Sequence, residues 1–147
     1  MLKNKVLPIG GGIIAAFACV MLFDHLSHLT FPDVKIDLPE PTEENREEYM
    51  NALRDMINQL PLGALLTVMF GWIVGGFVGG AAAEKITPAP MTANALIVGF
   101  VLFLATLANL LMIPHPIWMA VIGLSAIVPA AWLGRKVAAQ RHLLSGS

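Results

Sequence analysis

Four long apolar runs, at about 6–26, 61–83, 92–113 and 117–133, alternate along the chain with shorter polar segments. A hydrocarbon core about 30 Å thick takes roughly 20 helical residues to cross. The last three runs hold no Asp, Glu, Lys or Arg, and the first holds only Asp24, near its end. The pattern predicts an all-α fold: a four-transmembrane-helix bundle in a single membrane domain, 1–147. The one long polar segment, 32–60, has a period of its own. Pro39 and Pro41 keep its first part extended. Thr42 can then cap a helix over about 43–59, whose first turns hold Glu43, Glu44, Glu47 and Glu48 at the positive end of the helix dipole. Met50, Leu53, Ile57 and Leu60 recur at spacings of three and four, so one face of this helix is apolar. An amphipathic helix in the first loop, over the bundle mouth or along the interface, is the expectation.

Composition agrees with a membrane class. Of 147 residues, 56% are hydrophobic and 13% charged, and the mean hydropathy is +0.72, whereas soluble domains are about 25% charged. The lipid bilayer is the implied partner, and no basic patch points to nucleic acid. The net charge of -1 conceals an asymmetry, because eight of the ten acidic residues lie between Asp33 and Asp55. Lys3, Lys5, Lys85, Arg135, Lys136 and Arg141 all flank spans on one side of the predicted topology. By the positive-inside rule that side is cytoplasmic, with both termini, and the acidic loop and the turn 113–116 lie outside. Trp118 and Trp132 fit the aromatic belts; Trp72, mid-span, does not. Lys3 and Lys5 before an apolar run also resemble a signal peptide. Phe17 is wrong for the cleavage site near Cys19, however, and the run continues past it. With Cys19 the single cysteine, the chain can build neither an internal disulfide nor a CxxC site.

Small residues are ordered within the second run. Gly71, Gly75 and Gly79 follow one another every four residues, and Gly76 and Gly80 form a second row beside them. Lipid tails are as apolar as Leu, so membrane helices associate through close contact, which such rows permit. The rows predict tight packing against the first span, the fourth span or another copy. Ala95, Gly99, Leu102, Thr106 and Asn109 mark the bundle face of the third span, and Pro129 is a candidate kink in the fourth.

Candidate chemistry gathers at the outer end. Asp24, His25 and His28 close the first run, and on an ideal helix they share an arc of about 100°. His115 belongs to the outer turn, Trp118 follows it, and Asn109 lies about one turn beneath. Ionisable groups near membrane depth usually pair or serve a site. A polar cluster closing the bundle is one reading. A divalent metal such as Zn²⁺ on Asp24, His28 and His115 is a second, since three protein ligands suit an open site; no HExxH spacing accompanies them. A lipid headgroup, haem or quinone, or a proton or ion path, are further readings. No catalytic residue is assigned: Ser27 points away from His28, Ser125 lies deep in the fourth span, and Cys19 lies near the bilayer middle. No ionisable residue falls mid-span, as transporters usually require.

The segments "SH" then "FP" (Ser27, His28, Phe31, Pro32), "LPLGALL" (60–66), "GWIVGGFVGG" (71–80) and "NLLMIPHPIW" (109–118) resemble a family of small four-helix proteins of bacterial inner membranes. The resemblance implies a multi-pass inner-membrane protein and draws attention to His28, Asn109, His115 and Trp118, but supplies no substrate. Two functions are therefore expected to compete. One is a non-enzymatic scaffold or accessory subunit, homo-oligomeric or part of a larger membrane complex, packed through the small-residue faces. The other is a ligand or metal site at the outer mouth.

Overall fold

The computed structural model describes residues 3–31, 38–87 and 92–145. Asp33, Lys35 and Asp37 of the outer loop and the connection 88–91 lie outside the described residues, as do the side chains of Lys3, Lys5 and Arg141. The described residues form five helices: α1 (Lys3–Thr30), α2 (Arg46–Gln59), α3 (Leu62–Ile86), α4 (Thr92–Met112) and α5 (Ile117–Ser145). Four of them, α1, α3, α4 and α5, are long and apolar enough to cross a membrane.

Several boundaries differ from expectation for identifiable reasons. α1 and α5 outrun their apolar stretches, reaching Thr30 and Ser145 rather than about 26 and 133. Polarity ends a hydrophobic run, but Lys, Arg, Gln, Ala and Leu are good helix formers and carry the backbone on into water. α2 begins at Arg46 rather than near 43. Thr42 and Asn45 pair reciprocally first: the Asn45 backbone N–H donates to Thr42 Oγ1 at 3.2 Å, and the Thr42 N–H to Asn45 Oδ1 at 2.8 Å. That closed turn, tied back by Asn45 Nδ2 to the Glu40 carbonyl at 2.7 Å, stands ahead of the helix and takes Glu43 and Glu44 out of its first turn.

α3 is the centre of the bundle, flanked by α1 and α5, whose backbones make no close approach to each other among the described residues, with α4 closing the remaining side. The two glycine rows divide the work. A Cβ placed on Gly75 would sit 3.0 Å from the Ala16 carbonyl of α1, and one on Gly79 would sit 2.9 Å from the Gly12 carbonyl; Gly71 faces Phe23. On the second row, a Cβ at Gly76 would come within 2.7 Å of the Ile127 carbonyl of α5, and one at Gly80 would collide with the Ala131 carbonyl. α5 answers with Gly134, packed on the Phe77 carbonyl. Both rows are therefore filled from within the chain. α4 presents the expected stripe, with Ala95, Gly99, Leu102 and Thr106 buried; Gly99 lies against Val128 and Ala131 of α5.

The close contacts are concentrated from Gly71 to Gly80. Toward the N-terminal end of α3 the inward residues become Leu65, Val68, Met69 and Trp72, three of which, Leu65, Val68 and Trp72, line a cavity.

This packing predicts a graded response to one added methyl group. Gly80→Ala and Gly76→Ala must push α5 from α3 and should destabilise by about 1–3 kcal/mol, the usual range for overpacking. Gly10→Ala, where nothing lies within 4 Å, should be neutral or slightly stabilising, because Ala is the better helix former. Denaturation of the three variants in mild detergent checks the order.

Candidate functional site

Where the glycines end, the bundle opens into a cavity of about 640 Å³. Val20, Met21, Asp24 and His28 of α1 form one wall, and Ala64, Leu65, Val68 and Trp72 of α3 another. Asn109 of α4, Ile113 and His115 of the α4–α5 turn and Met119 of α5 complete the circuit. From Ala64 to Trp72 the α3 wall descends eight residues, or about 12 Å at the helical rise.

α2 covers the cavity. Its Leu53, Met56, Ile57 and Leu60 line it, with Leu53 and Ile57 buried, while Glu47, Glu48 and Asp55 stay exposed on the opposite side. No close backbone approach links α2 to another helix. It is held by its apolar side chains and by the chain on either side.

Four of the six expected site residues line this one cavity: Asp24, His28, Asn109 and His115. Asp24 and His28 stand on successive turns at the rim, with side chains 57% and 64% exposed, and Asp24 Oδ2 lies 3.8 Å from His28 Nε2. Asn109 and His115 are half-buried. The His115 ring is fixed from two sides. Nδ1 lies 2.9 Å from the Ile113 carbonyl oxygen, and since that oxygen can only accept, Nδ1 carries the proton and donates. In the neutral ring Nε2 is then the acceptor. The ring also meets Trp72 edge-on, with centroids 5.8 Å apart.

His25 and Trp118 do not join them. His25 is exposed and lies outside the cavity wall, because 60° around the helix from His28 is wide enough to turn it away. Trp118 is also exposed, at the outer end of α5. The three-ligand metal set is not assembled either: among the described residues no group of three His, Cys, Asp or Glu side chains is placed to hold a metal ion. Asp24, His28 and His115 share the cavity, with His115 held toward Ile113 and Trp72.

Three residues were not anticipated at all. Trp72, only 3% exposed, belongs to the cavity wall. The sequence carried the signal, since Trp72 stands four residues before Gly76 on the row that faces α5, and Gly123 of α5 leaves room for its ring. Ser27 is buried beside the cavity, where its hydroxyl donates to the Ala64 carbonyl at 3.4 Å and links α1 to α3. At the opposite end of the bundle Glu84, 5% exposed, meets Arg135 of α5, with Nε and Oε2 3.2 Å apart. The two atoms lack the alignment of a hydrogen bond, so the contact is an ion pair. Nearby, buried Asn94 donates to Thr87 Oγ1 at 3.1 Å, and Thr87 donates to the Ala83 carbonyl at 2.6 Å. α3 runs three residues further than its apolar stretch, and Glu84 is drawn in against a partner.

The fold and the cavity define a multi-pass helical membrane protein with a covered, mainly apolar cavity at one end and a buried ion pair at the other. Comparison with protein-family models, with curated proteins and with solved structures finds no match to this chain.

Removing one partner of a buried ion pair leaves the other charge uncompensated. Arg135→Met should therefore destabilise by about 3 kcal/mol, and the double change Glu84→Gln with Arg135→Met by distinctly less. Unfolding midpoints of the parent, both single variants and the double variant complete the cycle.

Proposed function

We propose that the protein binds an amphiphilic small molecule in the cavity beneath α2, polar end toward Asp24, His28, Asn109 and His115 and apolar end along Val20, Leu65, Val68 and Met119. One observation carries this reading: a cavity of about 640 Å³ that is apolar along most of its wall and gathers four polar side chains from three parts of the chain. Small-molecule sites have this character and typically measure about 300–1,000 Å³. The hydroxyls of Ser27 and Ser125 are turned to the Ala64 and Ile122 carbonyls, so binding without covalent chemistry is the better-supported activity. A scaffold or accessory subunit packing through the glycine faces has lost its main support, since both rows face α1 and α5 of the same chain.

The proposal places the protein in a bacterial inner membrane with both termini cytoplasmic and the cavity in the outer half. Glu84 and Arg135 are in contact, so Lys85, Arg135 and Lys136 lie together at the end away from the cavity, as the positive-inside rule asks of a cytoplasmic face. At that end Lys136 Nζ sits 3.9 Å from the centre of the Trp132 ring, a combination suited to an interface.

Two measurements test this. In a Cys19→Ser background, Glu48→Cys should react with an impermeant maleimide on intact cells, and Gln140→Cys only after permeabilisation; the reverse pattern inverts the topology. Native mass spectrometry of the purified parent should retain a bound amphiphile that Val68→Phe, which narrows the cavity along its α3 wall, loses. Equal retention by both proteins would sink the binding reading.

A further inference from the structure

The polar end of the cavity has a sign and a hydrogen-bonding direction that narrow the ligand. With histidines counted as neutral, Asp24 is the one formally charged side chain among the described residues of the wall, and neither Lys nor Arg lines it. His115 has its Nδ1 proton engaged by the Ile113 carbonyl, so that in the neutral ring Nε2 is an acceptor. Asn109 supplies a carbonyl oxygen as well as an amide. Above the cavity the exposed side of α2 carries Glu47, Glu48 and Asp55 against Arg46 and Arg54, and Glu43 and Glu44 stand just ahead of it, so the approach is acidic on balance. An anionic headgroup would arrive against this field and meet no cation to pair with, whereas a cation or a multiple donor meets acceptors.

We infer that the ligand is a single-chain amphiphilic amine, its protonated nitrogen at Asp24 and hydrogen-bonded toward His115 and Asn109, its chain along α3 toward Trp72. The inference rests on the amphiphile reading above and deepens it. A single chain suits the cavity's depth, which falls about 12 Å from Ala64 to Trp72, and the rim position of Asp24 lets the charged nitrogen stay near water while the chain is buried.

The test uses Trp72 as its own reporter. The full-length protein carrying Trp118→Phe and Trp132→Phe keeps Trp72 as its only tryptophan and is placed in phosphatidylcholine nanodiscs. Dodecyl chains brominated near their ends, bearing an amine, a hydroxyl or a carboxylate head, are titrated as mole fraction in the bilayer, and Trp72 quenching is recorded. The amine should reach half-quenching at about one-tenth the mole fraction of the carboxylate, the ratio that one modest charge contact gives. Asp24→Asn should remove that advantage and leave the alcohol unchanged, and Val68→Phe should remove quenching by all three. Asp24 is exposed at the rim, so its substitution leaves the fold intact.

A carboxylate that quenches as well as the amine, with both sensitive to Val68→Phe, would overturn the amine assignment and leave the amphiphile reading standing. An amine preference that persists in Asp24→Asn would overturn it too. Quenching by none of the three, or quenching indifferent to Val68→Phe, would bring down the amphiphile reading itself.

Discussion

In a bilayer nothing pushes two apolar helices together, because the lipid they leave is as apolar as the surface they bury. Their association depends on how closely the backbones can approach. This bundle solves that problem on one element. α3 carries two glycine rows on adjacent faces; Gly75 and Gly79 receive the Ala16 and Gly12 carbonyls of α1, and Gly76 and Gly80 receive the Ile127 and Ala131 carbonyls of α5. A helix in contact with two neighbours whose backbones make no close approach to each other among the described residues holds both only if each contact is close. α4 then closes the side left open, with Gly99 against α5 and Val98 between the Gly12 and Gly79 positions.

The same constraint explains why a cavity exists and where. Dense van der Waals contact needs small residues, and the two glycine rows of α3 end at Gly71 toward its N-terminal end, where only Gly63 and Ala64 are small. From Trp72 to Ala64 the α3 side chains line a space instead, roofed by the apolar face of α2. The site is the region where the tight seam stops. Its polar residues come from the last turns of α1, the end of α4 and the turn after it, all at the ends of spans, where polar atoms can stay near water at small cost.

The two ends of the bundle treat charge differently. At the cavity rim Asp24 and His28 stand well exposed, 3.8 Å apart, and such pairs contribute little to stability. At the opposite end Glu84 is buried against Arg135, so each holds the other in place, with Asn94 and Thr87 closing the neighbouring turn. An exposed acid beside a roomy cavity is available to a ligand; a buried acid with its own cation serves the packing of α3 on α5.

Much of this architecture was legible along the chain. Run length against bilayer thickness determined four spans, the period of Leu53, Ile57 and Leu60 determined an amphipathic α2, and the spacing of Gly71 to Gly80 determined that α3 packs closely on something. Local chemistry is enough for these, because each depends on a helix's own periodicity. The partners were another matter. Only the tertiary structure decided that one glycine row meets α1 and the other α5, that Trp72 belongs to the cavity wall, and that Glu84 is paired with Arg135. It also decided that His28 joins His115 around a common space while His25 turns away. A one-dimensional pattern fixes which residues share a helix face, but which face meets which depends on the angles between helices, and those are set by backbone contacts between residues far apart in the chain.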